Sequence, residues 1–160
     1  MIKGDTPVHA IRFTIGTGDD DLRHNSSAIG RIVHVSGHMD TASLNNKASW
    51  KNGTTHAADL ELPANVLARD IAQIGVHFIS GTDGPFDTTD NWNMESIRIE
   101  IVNADGSTLL VHEEAGNPIM RFSGQITDWN WDWPAFTDPR VVREVVARQV
   151  PNPRRVGVPR

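Results

Sequence analysis

Asp19-Asp20-Asp21 sets three carboxylates side by side. Adjacent like charges repel, so such a loop is either solvated or neutralised by a cation. A second acidic stretch carries Asp83, Asp87 and Asp90, with Asn91 and Asn93 beside them. Ca²⁺ takes about six to eight oxygens from carboxylates, amides and carbonyls, with loose geometry. Asp19, Asp20, Asp21, Asp87 and Asp90 are the side chains that would supply them, helped by backbone oxygens of the turn at 16–18. The spacing matches no EF-hand loop. The plainer reading is two solvated polar loops, and on the sequence alone it weighs more.

Two other sets invite metal or ligand chemistry. His34, His38 and Asp40 are the one close group of metal-ligating types among the seven His. Positions four apart share a helix face, but Gly37 and the β-like pattern argue against a helix. Along a strand 34 and 38 share a face, yet the strand is expected to end near Gly37. The set therefore reads as a solvated turn ahead of a zinc site. Trp129, Trp131 and Trp133 fall on one face of an extended segment, with Asn130 and Asp132 on the other. Such a row stacks on sugar rings, sits at a membrane interface, anchors a protein partner, or covers the chain's own core. An interface or self-packing is weighed above a sugar platform.

Catalysis finds no constellation. No Ser lies in a Gly-x-Ser-x-Gly elbow. Glu113 and Glu114 point to opposite faces of a strand, and nothing sets two carboxyls across a cleft. Gly16-Thr-Gly18 lacks the further Gly and the Lys-Ser/Thr of a phosphate loop, so it reads as a tight turn. The sequence is read as non-enzymatic.

The 160 residues hold no Cys, which excludes disulfides, thiolate catalysis and cysteine metal sites. The formal charge of −5 is uneven. Residues 138–160 carry six Arg against Asp138 and Glu144, a net +4, which leaves −9 over 1–137. An acidic body is a poor partner for nucleic acid. Arg140, Arg143, Arg154 and Arg155 belong to what reads as a separate basic arm that docks on a protein neighbour. Met1-Ile-Lys-Gly-Asp-Thr-Pro7 lacks the apolar stretch of a secretory signal, and no apolar run approaches the ~20 residues of a membrane span. The compartment stays open.

These residues must be positioned by short strands. Alternating or β-rich runs occupy 10–15, 31–36, 55–62, 71–80, 96–102, 108–113 and 119–122, separated by Gly, Pro, Asn and Asp. Asn103-Ala-Asp-Gly106 is a hairpin signal. Seven or eight strands at regular spacing predict an all-β antiparallel sandwich. Residues 64–70 suit one helical turn. Asp138-Pro139 begins the better helix, with Val141, Val142, Val145 and Val146 as its stripe, before an extended Pro/Arg tail. The predicted division is a sandwich over 1–137 and an arm over 138–160.

The order of pieces over 9–124 resembles the PLAT, or lipoxygenase-homology, domain. A strand runs into a Thr-Gly turn (Ile11-Arg-Phe-Thr-Ile-Gly-Thr-Gly18), a polar loop follows, and a second strand ends in Gly (Ile32-Val-His-Val-Ser-Gly37). Later Ile74-Gly-Val-His-Phe78 leads into a polar loop, and Trp92 opens the next strand. The resemblance implies an eight-stranded sandwich that places a neighbouring enzyme domain at a lipid or protein surface, with calcium in some members bound by loops at one end. It implies that the two acidic loops meet. No neighbouring enzyme domain is found within these 160 residues. The expected function is a non-catalytic binding module, using Ca²⁺ and attaching to a lipid, glycan or protein surface. The alternative is a structural subunit, as in a phage virion or delivery particle, assembling through its arm.

Overall fold

The computed structural model describes residues 2–81 and 89–134. Within them the chain forms β1 (Ala10–Thr17), β2 (Ser27–His34), β3 (Met39–Ser43), β4 (Thr55–Glu61), β5 (Ile71–Ile79), β6 (Trp92–Val102), β7 (Thr108–Phe122) and β8 (Asp128–Asp132). The strands make two four-stranded antiparallel sheets, ordered β4-β1-β6-β7 and β3-β2-β5-β8. The all-β sandwich expected from the sequence is the fold observed.

Side-chain alternation builds the core. Ile11, Phe13 and Ile15 of β1 and Ile97, Ile99 and Ile101 of β6 are buried from one sheet. Ala28, Ile32, Ile74, Val76 and Phe78 are buried from the other. A ring cluster fills the space between them. Trp92 stacks on Phe122 at 5.0 Å and meets Trp50 edge-on at 5.7 Å. The buried Trp92 indole N–H donates to Thr17 Oγ1 at 3.1 Å, so burial leaves it paired.

Several local expectations are corrected. β3 and β8 were not expected as strands. The runs at 108–113 and 119–122 are one strand, because β7 reads through Gly116-Asn117-Pro118 with shifts of register against β6. A proline is tolerated there because β7 lies at the edge of its sheet. Gly16 and Thr17 are not a turn; they end β1, with an irregularity between them. Over 64–70 the helical part is a single 3-10 turn at Ala68–Asp70. The expected helix from 138, and with it Arg140, Arg143, Arg154 and Arg155, lies outside the described residues.

Strand direction gives the sandwich two ends. At one end lie the β1–β2, β3–β4, β5–β6 and β7–β8 connections, the loop end. At the other lie the hairpin turns β2–β3 and β6–β7, the β4–β5 connection and the segment before β1. Both turns have the same construction. Gly37 donates to the His34 carbonyl while His34 N–H donates to His38, and Gly106 and Asn103 repeat the pattern with Ser107. Gly37 and Gly106 have φ of 91° and 87°, the left-handed geometry that closes a three-residue hairpin turn. The first and last described segments lean on one residue at this turn end. Ala68 N–H donates to the Thr6 carbonyl, and the Trp133 indole N–H donates to the Ala68 carbonyl at 2.9 Å.

Candidate functional site

At the loop end, the β1–β2 and β5–β6 connections are packed together. Arg23 N–H donates to Asp90 Oδ2 at 3.1 Å, Asn93 N–H to the Asp20 carbonyl at 3.0 Å, and Gly81 N–H to Ser26 Oγ at 3.0 Å. A Cβ at position 81 would run into the Asn25 carbonyl, so Gly is what lets the two backbones touch. Buried Asn45 holds the β3–β4 connection to the same assembly, donating to the Ser26 carbonyl at 2.8 Å and accepting from Ala28 N–H at 3.1 Å.

Two of the carboxylates there are paired with cations of the chain itself. Asp90 is buried, and Arg23 Nε lies 3.2 Å from its Oδ1. Asp20 is paired with Arg121 at 2.9 Å. The Asp19 carbonyl accepts from Asn52 Nδ2. Asp19 is exposed and Asp21 half-buried, while Asp83 and Asp87 lie outside the described residues. The charge repulsion expected of the Asp triplet is thus relieved at Asp20 by Arg121, and the second acidic stretch is neutralised at Asp90 by Arg23, two arginines that sequence spacing did not single out. Arg23 is two positions past the triplet; Arg121 is a hundred residues away along the chain and arrives through the β6–β7 pairing. Exposed Ile79 and Ile126 stand at this same end, on neighbouring segments joined by the Phe78 N–H bond to the Thr127 carbonyl.

At the turn end, His34, His38 and Asp40 converge. Their candidate ligand atoms all lie within 4.8 Å of one another. His34 Nε2 is 2.6 Å from Asp40 Oδ2, and His38 Nε2 is 3.1 Å from Asp40 Oδ1. Burial alone would raise the Asp40 pKa, but the hydrogen bonds from both imidazoles outweigh it and hold the carboxyl below its ordinary value. The set is not the solvated turn expected, because His34 is buried. Sequence reasoning tested 34 and 38 as neighbours along one strand; they are opposite each other across a hairpin.

The Trp row faces inward. Trp129 and Trp133 are buried and Trp131 half-buried, with Asn130 and Asp132 exposed on the other face of β8. Both β7 and β8 are sheet edges, and the indoles close the gap between them. His112 of β7 stacks on Trp131 at 4.3 Å, and the Trp129 indole N–H donates to Glu114 Oε1 at 3.0 Å. Inward-pointing polar groups of this kind blunt an edge strand against pairing with another chain. Among the described residues, no helix is long and apolar enough to cross a membrane.

No family model and no curated protein matches the sequence. Solved structures do match the fold. The alpha-toxin of Clostridium absonum superposes with a TM-score of 0.56 at 15% identity over 83% of this chain. The Clostridium perfringens alpha-toxin from an avian strain gives 0.56 at 14% over 82%. A lipoxygenase variant gives 0.50 at 20% over 88%. The chain spans 33% of the length of the toxins and 20% of that of the lipoxygenase. The shared architecture is the PLAT-type β-sandwich that the strand order and Trp92 resemble.

Proposed function

We propose that this chain is a non-catalytic binding module that attaches to a lipid surface through its loop end. The observation that carries the reading is the coincidence, at one end of a PLAT-type sandwich, of two exposed isoleucines with a braced set of loops. Ile79 and Ile126 are 49% and 54% exposed. Arg23 and Arg121, at the same end, brace the loops through Asp90 and Asp20. A rigid frame presents these apolar tips without paying to order them at contact.

Calcium has a narrower place in this reading than the residue types alone suggest. Asp20 and Asp90 already have cationic partners, and the Asp19 and Asp20 carbonyls are occupied. Calcium dependence then rests on the carboxylates of Asp19, Asp21 and Asp87, which fit a hard cation in donor type.

The test is co-sedimentation with vesicles of phosphatidylcholine and phosphatidylserine, with millimolar Ca²⁺ or chelator, using the full chain and the Ile79→Asp/Ile126→Asp pair. Losing two partly buried Ile side chains should weaken partitioning on the order of a hundredfold. Pelleting that is unchanged in the pair, or absent from every vesicle, overturns the lipid reading and turns the search to glycan or protein ligands. A Ca²⁺ effect that disappears in Asp19→Asn/Asp21→Asn supports the calcium part; equal pelleting in calcium and chelator removes it.

A further inference from the structure

The described residues hold a second site, at the end of the sandwich away from the acidic loops. We propose that His34, His38 and Asp40 form a site for one borderline divalent transition metal of the Zn²⁺ type, carried by the β2–β3 hairpin. The geometry follows from the turn. Closing of the chain at Val35-Ser36-Gly37, with His34 N–H donating to the His38 carbonyl at 2.8 Å, sets the two imidazoles opposite one another. Asp40 is two residues beyond His38, so its carboxylate returns to the same face of the sheet. That face is the inner one, since Asp40 pairs with buried Ile32 and His34 follows Ile32 in the inward series of β2. Three donors therefore come from one hairpin, within the seven residues from His34 to Asp40.

The spacing suits a metal. Zn–N and Zn–O bonds of about 2.0–2.1 Å place tetrahedral ligand atoms about 3.3 Å apart. The carboxylate oxygens already sit 2.6 and 3.1 Å from the two Nε2 atoms, with every candidate atom within 4.8 Å of the others. Entry of the ion replaces the protons now shared between imidazole and carboxylate and asks only for a small closing movement of one ring. His38 can make it, because its side chain is 60% exposed whereas that of His34 is 8% exposed and held by packing. Two imidazoles and one carboxylate select a borderline ion over Ca²⁺, which takes oxygen. With three protein ligands the fourth position opens on the His38 side, to water or to a donor from a partner surface.

The experiment uses the untagged full chain, stripped with chelator, and titrates Zn²⁺ by calorimetry and Co²⁺ by its visible absorption. One ion per chain is expected, with the intense visible bands of four-coordinate Co²⁺ and a rise in melting midpoint with Zn²⁺. His38→Ala changes an exposed side chain and Asp40→Asn keeps its shape, so both leave the sandwich folded. Each should weaken binding by at least about tenfold, the size that even outer-shell changes produce. His24→Ala, on the β1–β2 connection at the other end, should bind as the parent does. The proposal is overturned if no saturable binding occurs at about 100 µM Zn²⁺, where a micromolar site would be filled. It is equally overturned if His38→Ala and Asp40→Asn titrate like the parent.

Discussion

Asp128 is where a single side chain ties three strands of one sheet. Its Oδ1 accepts from Arg31 on β2 at 2.9 Å and lies 2.9 Å from His77 Nδ1 on β5. Burial would raise its pKa, but the His77 and Thr127 hydrogen bonds, with the charges of His77 and Arg31, hold it below the ordinary 3.8. A carboxyl held low in the folded chain contributes stability that is fully present above the unfolded value and is lost as pH falls through the folded one. The side chain is 37% exposed, so solvent screens the gain. Asp128→Asn is expected to cost about 1 kcal/mol or less at pH 7. Urea melts taken down through pH 3.8 and below should show the parent converging on the variant. A gap that stays constant into acid would mean that Asp128 acts by packing, not by charge. Arg31, His77 and Asp128 could each be seen in the sequence as polar positions on alternating runs; their meeting depended on the β2-β5-β8 order, which no residue pattern revealed.

β8 shows why some elements escape a sequence reading. Asp-Trp-Asn-Trp-Asp alternates perfectly, yet Asp and Asn are depleted in strands and Pro134 follows two positions on. The pattern identified a face without identifying a strand. β3 is similar, since Met-Asp-Thr-Ala-Ser carries little apolar signal and draws its pairing from the Gly37 turn. By contrast β1 and β6 declared themselves, because Ile and Phe at every second position leave one buried face as the only economical arrangement. Of the chemistry, the identity of the Asp and His groups was legible, while their partners were set by loop packing and by a hairpin. The Trp row supports a graded prediction for β8. Trp129→Ala and Trp133→Ala empty buried positions and should cost about 3–5 kcal/mol each. Trp131→Ala, which loses a half-exposed stack on His112, should cost only about 1–2 kcal/mol. Equal losses at all three in denaturant melts would contradict the placement of Trp131 at the rim.

Across the whole molecule, the acidic body and the +4 segment from 138 onward supply opposite charges within one chain. Assembly of copies through that segment is the reading that competes with a solitary binder. Trp133 is the last buried anchor described, so a chain ending at 137 should keep its melting midpoint. If the basic segment docks on neighbours, sizing at low salt should find the full chain larger than the 1–137 form, with the difference vanishing as salt screens the attraction. The same small monomer for both lengths would rule that docking out. The meeting of the first and last described segments at Ala68 has its own consequence for how such a protein is handled. The first and last described segments both lie at the end turned away from Ile79 and Ile126, so the sandwich resembles a plug with both cords at the back. A surface linkage made next to Lys3 or directly after Trp133 would therefore enter at the turn end and leave the opposite pole clear.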